Sequence, residues 1–252
     1  MSRDRLAFVI IVVFLPCVVT GLVSSPSNRS AEDIVKRHIA AIGGRSHLDR
    51  IQSIQSVGIL NEHGTLHPIY MDRRRPDLLR VRMIHGGDLV FTEVYDGSSS
   101  WEGAPGKEQC SPDSAARAAT RQAAQQFDDP LIAAAPRARV MKLVGVEQIA
   151  GRSLYRIDIQ QEDGSEGSYY VDAETFMLDR ERSQRALHPG QPMRTIELVL
   201  GDYRPVSGVL YPFRSLERDV ETGEPLTAWL TFWTDANVPI AGNPYARPTS
   251  CH

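Results

Sequence analysis

A two-residue alternation of apolar and polar side chains begins near Ile51 and returns, segment after segment, almost to the end of the chain. Side chains with that period point to opposite faces of an extended strand, so each segment offers one face to a core and the other to water. Leu78 to His85 is the clearest case, with Leu79, Val81 and Met83 set against Arg80 and Arg82. Turn residues punctuate the series at Asn61–Thr65, Gly86–Gly87, Gly151–Arg152, Glu162–Gly164, Asp172–Glu174, Ser207–Gly208 and Glu221–Gly223. Strands are therefore expected around Val57–Ile59 and over Leu66–Asp72, Leu78–His85, Leu89–Tyr95, Val140–Ile149, Leu154–Ile159, Tyr169–Val171, Phe176–Arg180, Thr195–Leu200, Val209–Leu216 and Leu226–Trp233. That is about ten to eleven antiparallel strands, mostly in up-and-down order. Two strands carry further information. Pro68 cannot donate to a ladder, which favours an edge position or a bulge, and Leu89–Tyr95 is apolar on both faces, which favours cover on both sides.

Two helices interrupt the pattern. Ser30 as N-cap, Glu32 and Asp33 in the first turn, and Ile34, Val35, Ile39 and Ile42 at helical spacing define the first, which Gly43 and Gly44 end. Ser111 as N-cap, Pro112 at the first helical position and the alanine-rich stretch to Gln126 define the second. Its alanine stripe buries little area, so it reads equally as a movable lid or as an ordinary surface helix. A twisted sheet this wide must curl, and one that curls without closing offers a concave apolar face for helices to cover. The expected fold class is mainly β with helices (α+β), an unclosed antiparallel β-barrel or strongly curved sheet covered by the N-terminal helix and the inserted helix.

Arg3 and Arg5 precede an apolar run from Leu6 to Val23, followed by Ser24 and Ser25, the layout of an export signal over 1–24. The run is close to the shortest length that spans a bilayer, so an uncleaved anchor is the alternative, although Pro16 interrupts it. Pro16 ahead of Cys17 also disfavours lipid attachment there. A single domain over 25–235 and an irregular proline- and glycine-rich tail over 236–252 are expected. Export would allow Cys110 and Cys251 to pair if the fold brings them together, and free thiols are the alternative.

Composition excludes some functions. A net charge of −3 lacks the basic face that nucleic-acid binding requires. His63 and His67 have helical metal-site spacing but flank Gly64 in a turn, and the other histidines, His38 among them, read as surface residues. Ser98–Ser100 lack the glycine frame of a nucleophile elbow, and Asp128 and Asp129 ahead of Pro130 read as a solvated helix exit. No catalytic set, cofactor motif or metal cluster gathers, so an enzyme is not expected.

One stretch is more specific. Arg75, Pro76 and Leu78 enter a strand, the next strand ends at Tyr95, and Asp96, Gly97 and Trp101 form a turn and re-entry. Together with the N-terminal helix, the helical insertion after the Asp-Gly hairpin and the segment Gly208–Pro212, this resembles the periplasmic lipoprotein-carrier family (LolA/LolB-like) and related mycobacterial lipid-carrier lipoproteins. The resemblance implies a half-barrel whose cavity shelters acyl chains between membranes, with a functionally important arginine near Arg80. The partners it implies are lipid acyl chains or a lipid-modified protein and an envelope membrane protein, with a monomeric carrier in the periplasm.

The residues alone agree with that activity. A hydrocarbon chain of about fifteen methylenes gains on the order of 10 kcal/mol by leaving water, without any charged contact. The expected lining is Leu79, Val81, Met83, Phe91, Trp101, Ile157, Tyr169, Ile196, Leu198 and Phe232. The alternative is that these residues form a dry core under the helices, leaving an interaction module that binds another envelope protein by its convex face or edge strands near Pro68, Arg80 and Arg82.

Overall fold

The computed structural model describes residues 29–110, 120, 121, 123, 124, 127–185, 193–239 and 242–248. The expected segment 1–24, most of Ser111–Gln126, and Cys251 lie outside them.

Helix α1 (Ala31–Ala41) begins as the sequence predicts: the Asp33 amide donates to Ser30 Oγ at 3.2 Å and the Ser30 amide to Asp33 Oδ2 at 3.3 Å. A one-turn helix α2 (Arg45–Leu48) follows. Gly43 joins them at φ +126°, and a Cβ there would stand 2.1 Å from the Gly208 carbonyl oxygen, so only glycine fits where α1 meets the Ser207–Gly208 turn.

The sheet has thirteen strands: β1 (Ser53–Glu62), β2 (Thr65–Arg74), β3 (Leu78–His85), β4 (Asp88–Tyr95), β5 (Ser100–Gly103), β6 (Gln109–Cys110), β7 (Ala138–Ile149), β8 (Arg152–Gln161), β9 (Glu166–Asp172), β10 (Leu178–Arg185), β11 (Arg194–Val206), β12 (Val209–Asp219) and β13 (Pro225–Ala236). Their spatial order is β6-β5-β4-β3-β2-β1-β13-β12-β11-β10-β9-β8-β7, with every pair antiparallel. The sheet is open: β6 and β7 are its two edges, and they do not pair. This is a half-barrel with helices.

The order differs from a single up-and-down series. Two meanders, β1–β6 and β7–β13, run outward and back, and a crossover between β6 and β7 carries the chain from one edge to the other. β13 then returns to β1, so the seam joins the two meanders at the centre. The strand count exceeds the expected one because β5 and β6 are too short to show a period. β2 is an interior strand, yet Pro68 lies one residue before its ladder with β3 begins at Ile69, so its missing N–H leaves no gap on that side. β4 is covered only at its end: Val94 and Tyr95 are buried, whereas Leu89 and Val90 are exposed.

The crossover contributes helical Thr120, Arg121, Ala123 and Ala124, a short helix α3 (Pro130–Ala134) capped by Asp129, and a 3-10 turn (Ala135–Arg137). Ile34 and Val35 of α1 pack with Leu131 and Ala134 of α3 against Ile157, Tyr169, Val171, Leu178, Leu198 and Leu200. Ala124 packs on Leu79 and Tyr95 in the other meander. The face touched by α1, α3 and Ala124 is the inner face. Each fully buried side chain of Ile34 or Leu131 size contributes about 1.5–3 kcal/mol, so helix and sheet hold each other. No helix among the described residues is long and apolar enough to cross a membrane.

Candidate functional site

Register decides which side chains share the inner face. Leu143, Ile157, Tyr169, Glu181, Leu198 and Glu217 stand opposite one another across six strands, and Ile196 shares their parity. Leu79 pairs with Arg73 and Tyr95, Val81 with Met71 and Glu93, and Met83 with Ile69 and Phe91. The expected lining residues thus fall into two groups. Ile157, Tyr169 and Leu198 are sealed beneath α1 and α3, and Ile196 is likewise buried. Leu79 is sealed by Ala124, while Val81, Met83 and Phe91 stay partly exposed on the same wall.

The other two stand elsewhere. Trp101 pairs with Val94, which pairs with Arg80, so it belongs to the outer face, where it packs with Tyr245 from the C-terminal tail. Phe232 occupies the bulge in β13 between Thr231 and Trp233 and is 55% exposed. Parity counted along one strand does not carry through a turn such as Asp96–Ser99, and a bulge resets it.

Polar residues that sequence reasoning left aside lie on the inner face. Arg73, on β2 between Ile54 and Leu79, is half-buried, and burial pushes its guanidinium down to about 10. Its Nε has no hydrogen-bond partner, and neither does the buried hydroxyl of Tyr211 nearby, whose phenol burial pushes up. Glu93 on β4 accepts from Thr120 Oγ1 at 2.7 Å, and burial raises its carboxyl. The signal that could have found Arg73 is its register with Leu79, hidden in the sequence by the run Arg73–Arg75.

The crossover is tied down by charge. Arg75 makes a two-pronged bond to Asp128 at 3.0 and 2.7 Å, donates from Nε to the Ile51 carbonyl at 2.9 Å, and stacks 4.3 Å from the Phe127 ring. His38 of α1, with no exposed surface, bonds Asp129 and the Phe176 carbonyl. His38 is therefore not a surface histidine, and Asp128 and Asp129 are not a solvated exit. Each has a partner distant in sequence, which local pattern cannot show.

The outer face of the second meander carries an ionic network in which buried Glu197 accepts from Arg180, Arg182 and Arg218. Beside it a cavity of about 560 Å³ is lined by Lys142, Arg156, Asp158, Tyr170 and Arg182. Another, of about 530 Å³, lies between the start of β1 and the tail. Neither cavity involves Val81, Met83 or Phe91. Among the described residues no three His, Cys, Asp or Glu side chains gather as metal ligands. Cys110 is disulfide-bonded.

No family model matches the chain, and no curated protein matches it. Solved structures do. A DUF1329 family protein from Desulfovibrio piger superposes with TM-score 0.60 at 12% identity, over 86% of this chain and 97% of that one. A LolA superfamily protein from Nitrosomonas europaea gives 0.54 at 12% identity, over 84% and 96%. A putative outer membrane lipoprotein-sorting protein domain from Vibrio parahaemolyticus gives 0.56 at 11% identity, over 86% and 95%. The chain has a LolA-like fold.

Proposed function

We propose that this LolA-like half-barrel is an exported carrier that shelters acyl chains of a lipid or a lipid-modified protein. The observation that carries the reading is the unequal filling of the inner face. Beneath α1 and α3 the wall is sealed, whereas on β2–β4 Met71, Val81, Met83 and Phe91 form an apolar wall that the described residues cover only in part. An open sheet lets such a wall receive a tail without unfolding the core. The LolA superfamily protein and the lipoprotein-sorting domain share this fold, which supports the class of cargo. The disulfide at Cys110 and the N-terminal basic and apolar segments support export.

Native mass spectrometry of the protein purified from its membranes, with extraction of copurified lipid, tests the proposal. Bound lipid and uptake of a fluorescent fatty acid are expected, with uptake lost in Val81→Trp, which fills the wall. Absence of both copurified lipid and uptake removes the reading.

A second reading, an envelope protein-interaction module, is favoured by one observation. Tyr70 and Trp233 lie in one outer-face row through Val57, and Leu230 lies in the next through Ile59, all more than a third exposed. On that reading a pull-down recovers a protein partner, Trp233→Ser abolishes the capture, and Val81→Trp leaves it unchanged.

A further inference from the structure

We infer that the cargo of the inner wall carries an anionic head, a carboxylate or a phosphate, held by the guanidinium of Arg73 and the hydroxyl of Tyr211; this rests on the carrier reading above.

The argument begins with pairing. Arg80 and Arg82 share Asp72, Arg75 takes Asp128, and Arg180, Arg182 and Arg218 converge on Glu197. Arg73 has no ion pair among the described residues, and its buried Nε has no hydrogen-bond partner. A buried guanidinium N–H without an acceptor is unfavourable, so a fold that retains one leaves a place for an acceptor that arrives later. The residue is half-buried, so part of its side chain meets solvent.

Tyr211 supplies the second donor. Its hydroxyl is buried without a partner, on the same inner face and within electrostatic reach of Arg73. Asp128, whose charge bears on the Tyr211 phenol, is already engaged by both prongs of Arg75. Two unengaged donors of this kind call for an acceptor with negative charge, and a guanidinium fits the flat edge of a carboxylate or phosphate.

The apolar wall starts at the same place. Arg73 stands opposite Leu79 in the β2–β3 register, and Leu79, Val81 and Met83 then run down β3 over about 13 Å at strand spacing. A molecule with its head at Arg73 would lay its tail along Val81, Met83 and Phe91. Glu93 lies one row below Arg73, opposite Val81, where it is already engaged by Thr120. The site therefore has a polar end and an oily end in a fixed order.

The test uses the full mature chain and four probes, read by calorimetry and by displacement of a fluorescent fatty acid: oleate, a lysophosphatidic acid, monoolein and inorganic phosphate. Wild type is expected to bind both anionic amphiphiles about tenfold more tightly than uncharged monoolein, the effect of one charged hydrogen bond. Arg73→Gln is expected to erase that preference, and Tyr211→Phe to reduce it several-fold. Because Arg73 has no internal partner, Arg73→Gln should fold with a melting temperature equal to or above wild type. Equal binding of oleate and monoolein by wild type, or a preference that survives Arg73→Gln, overturns the inference while leaving the carrier reading intact. Unfolding of Arg73→Gln also overturns it, by making Arg73 structural. Tight phosphate binding with no gain from a tail reassigns the site to a free anion and overturns it. Failure of every amphiphile, monoolein included, is instead the failure of the carrier reading, and the inference goes with it.

Discussion

His38 Nε2 on α1 lies 2.5 Å from Asp129 Oδ2 in the crossover, while His38 Nδ1 lies 2.7 Å from the Phe176 carbonyl oxygen in the β9–β10 turn. A carbonyl only accepts, so Nδ1 carries a proton, and a second proton on Nε2 completes the bond to the carboxylate. One imidazolium thus pins three separate parts of the chain. Burial opposes its charge, but the attraction of Asp129 and the two hydrogen bonds outweigh burial and hold the pKa above 6.5.

The raised pKa fixes the sign of a pH effect. The folded state holds the proton more tightly than the unfolded one, so the contribution is complete below about pH 6.5 and is lost as pH rises through the folded value. Asp129→Asn keeps an oxygen to cap Ile132 and removes the charge, at a cost of about 3 kcal/mol at pH 6. Urea unfolding of wild type and variant at pH 6 and pH 9 is expected to give curves that converge at the higher pH. A gap that is the same at both values would show the histidine to be neutral.

Glu197 works with the opposite sign. Burial pushes its carboxyl up, but bonds from Arg182 at 2.7 Å and Arg218 at 2.6 Å, with Arg180 close by, pull it below 4.5. Its contribution is present above about pH 4.5 and disappears as pH falls through the folded value. Arg182 and Arg218 are about a third or more exposed, so Glu197→Gln is expected at the lower end for a broken buried pair, about 3 kcal/mol at pH 7. Acid unfolding followed by circular dichroism should begin at higher pH in the variant.

These two ion pairs also mark the limit of what the sequence makes legible. Helix α1 was readable because its cap, its acidic first turn and its apolar spacing are all local, and β3 because leucine and arginine alternate without interruption. β10 runs five residues beyond the expected end at Arg180: Asp179, Arg180 and Glu181 are consecutive charges, and only the neighbouring strands reveal that all three are buried. The return of β13 to β1 joins segments more than 160 residues apart and leaves no periodic trace. Strand parity puts Trp101 on the inner wall, whereas the hairpin that sets its face places it on the outer face under Tyr245. The apolar alternation of β3 is legible in the sequence, while the inward parity of Arg73, inside a run of three arginines, is not.

Glu181 is a carboxyl that the fold holds at a cost. It stands between Tyr169 and Leu198 on the inner face, 4% exposed, and its Oε2 has no partner. Burial raises its pKa, with Arg185 and Ser183 offsetting only part of the effect. Stability tied to the protonated form is complete below about pH 4.5 and is lost as pH rises through the folded value. Glu181→Gln is expected to raise the melting temperature at pH 8, by an amount corresponding to about 1–2 kcal/mol, and to leave it unchanged at pH 4. A loss at pH 8 would mean that the carboxylate is satisfied after all.

The seam between the meanders depends on Gly58. β1 and β13 shift register between Val57 and Gly58, and a Cβ on Gly58 would stand 2.4 Å from the Leu230 carbonyl oxygen. That oxygen belongs to the neighbouring backbone and cannot swing aside, so Gly58→Ala must push β13 away from β1 or bend both. The expected cost is about 2–4 kcal/mol. Gly201→Ala is the control: a Cβ there meets the end of the Arg214 side chain at 3.0 Å, which can move, and the expected cost is below about 1 kcal/mol. Hydrogen exchange should show the difference directly. In Gly58→Ala the amides paired across β1 and β13 lose protection ahead of those in β8 and β9, whereas Gly201→Ala leaves that order unchanged. Uniform loss of protection in Gly58→Ala would mean that the two meanders unfold as one unit and that the seam has no separate weakness.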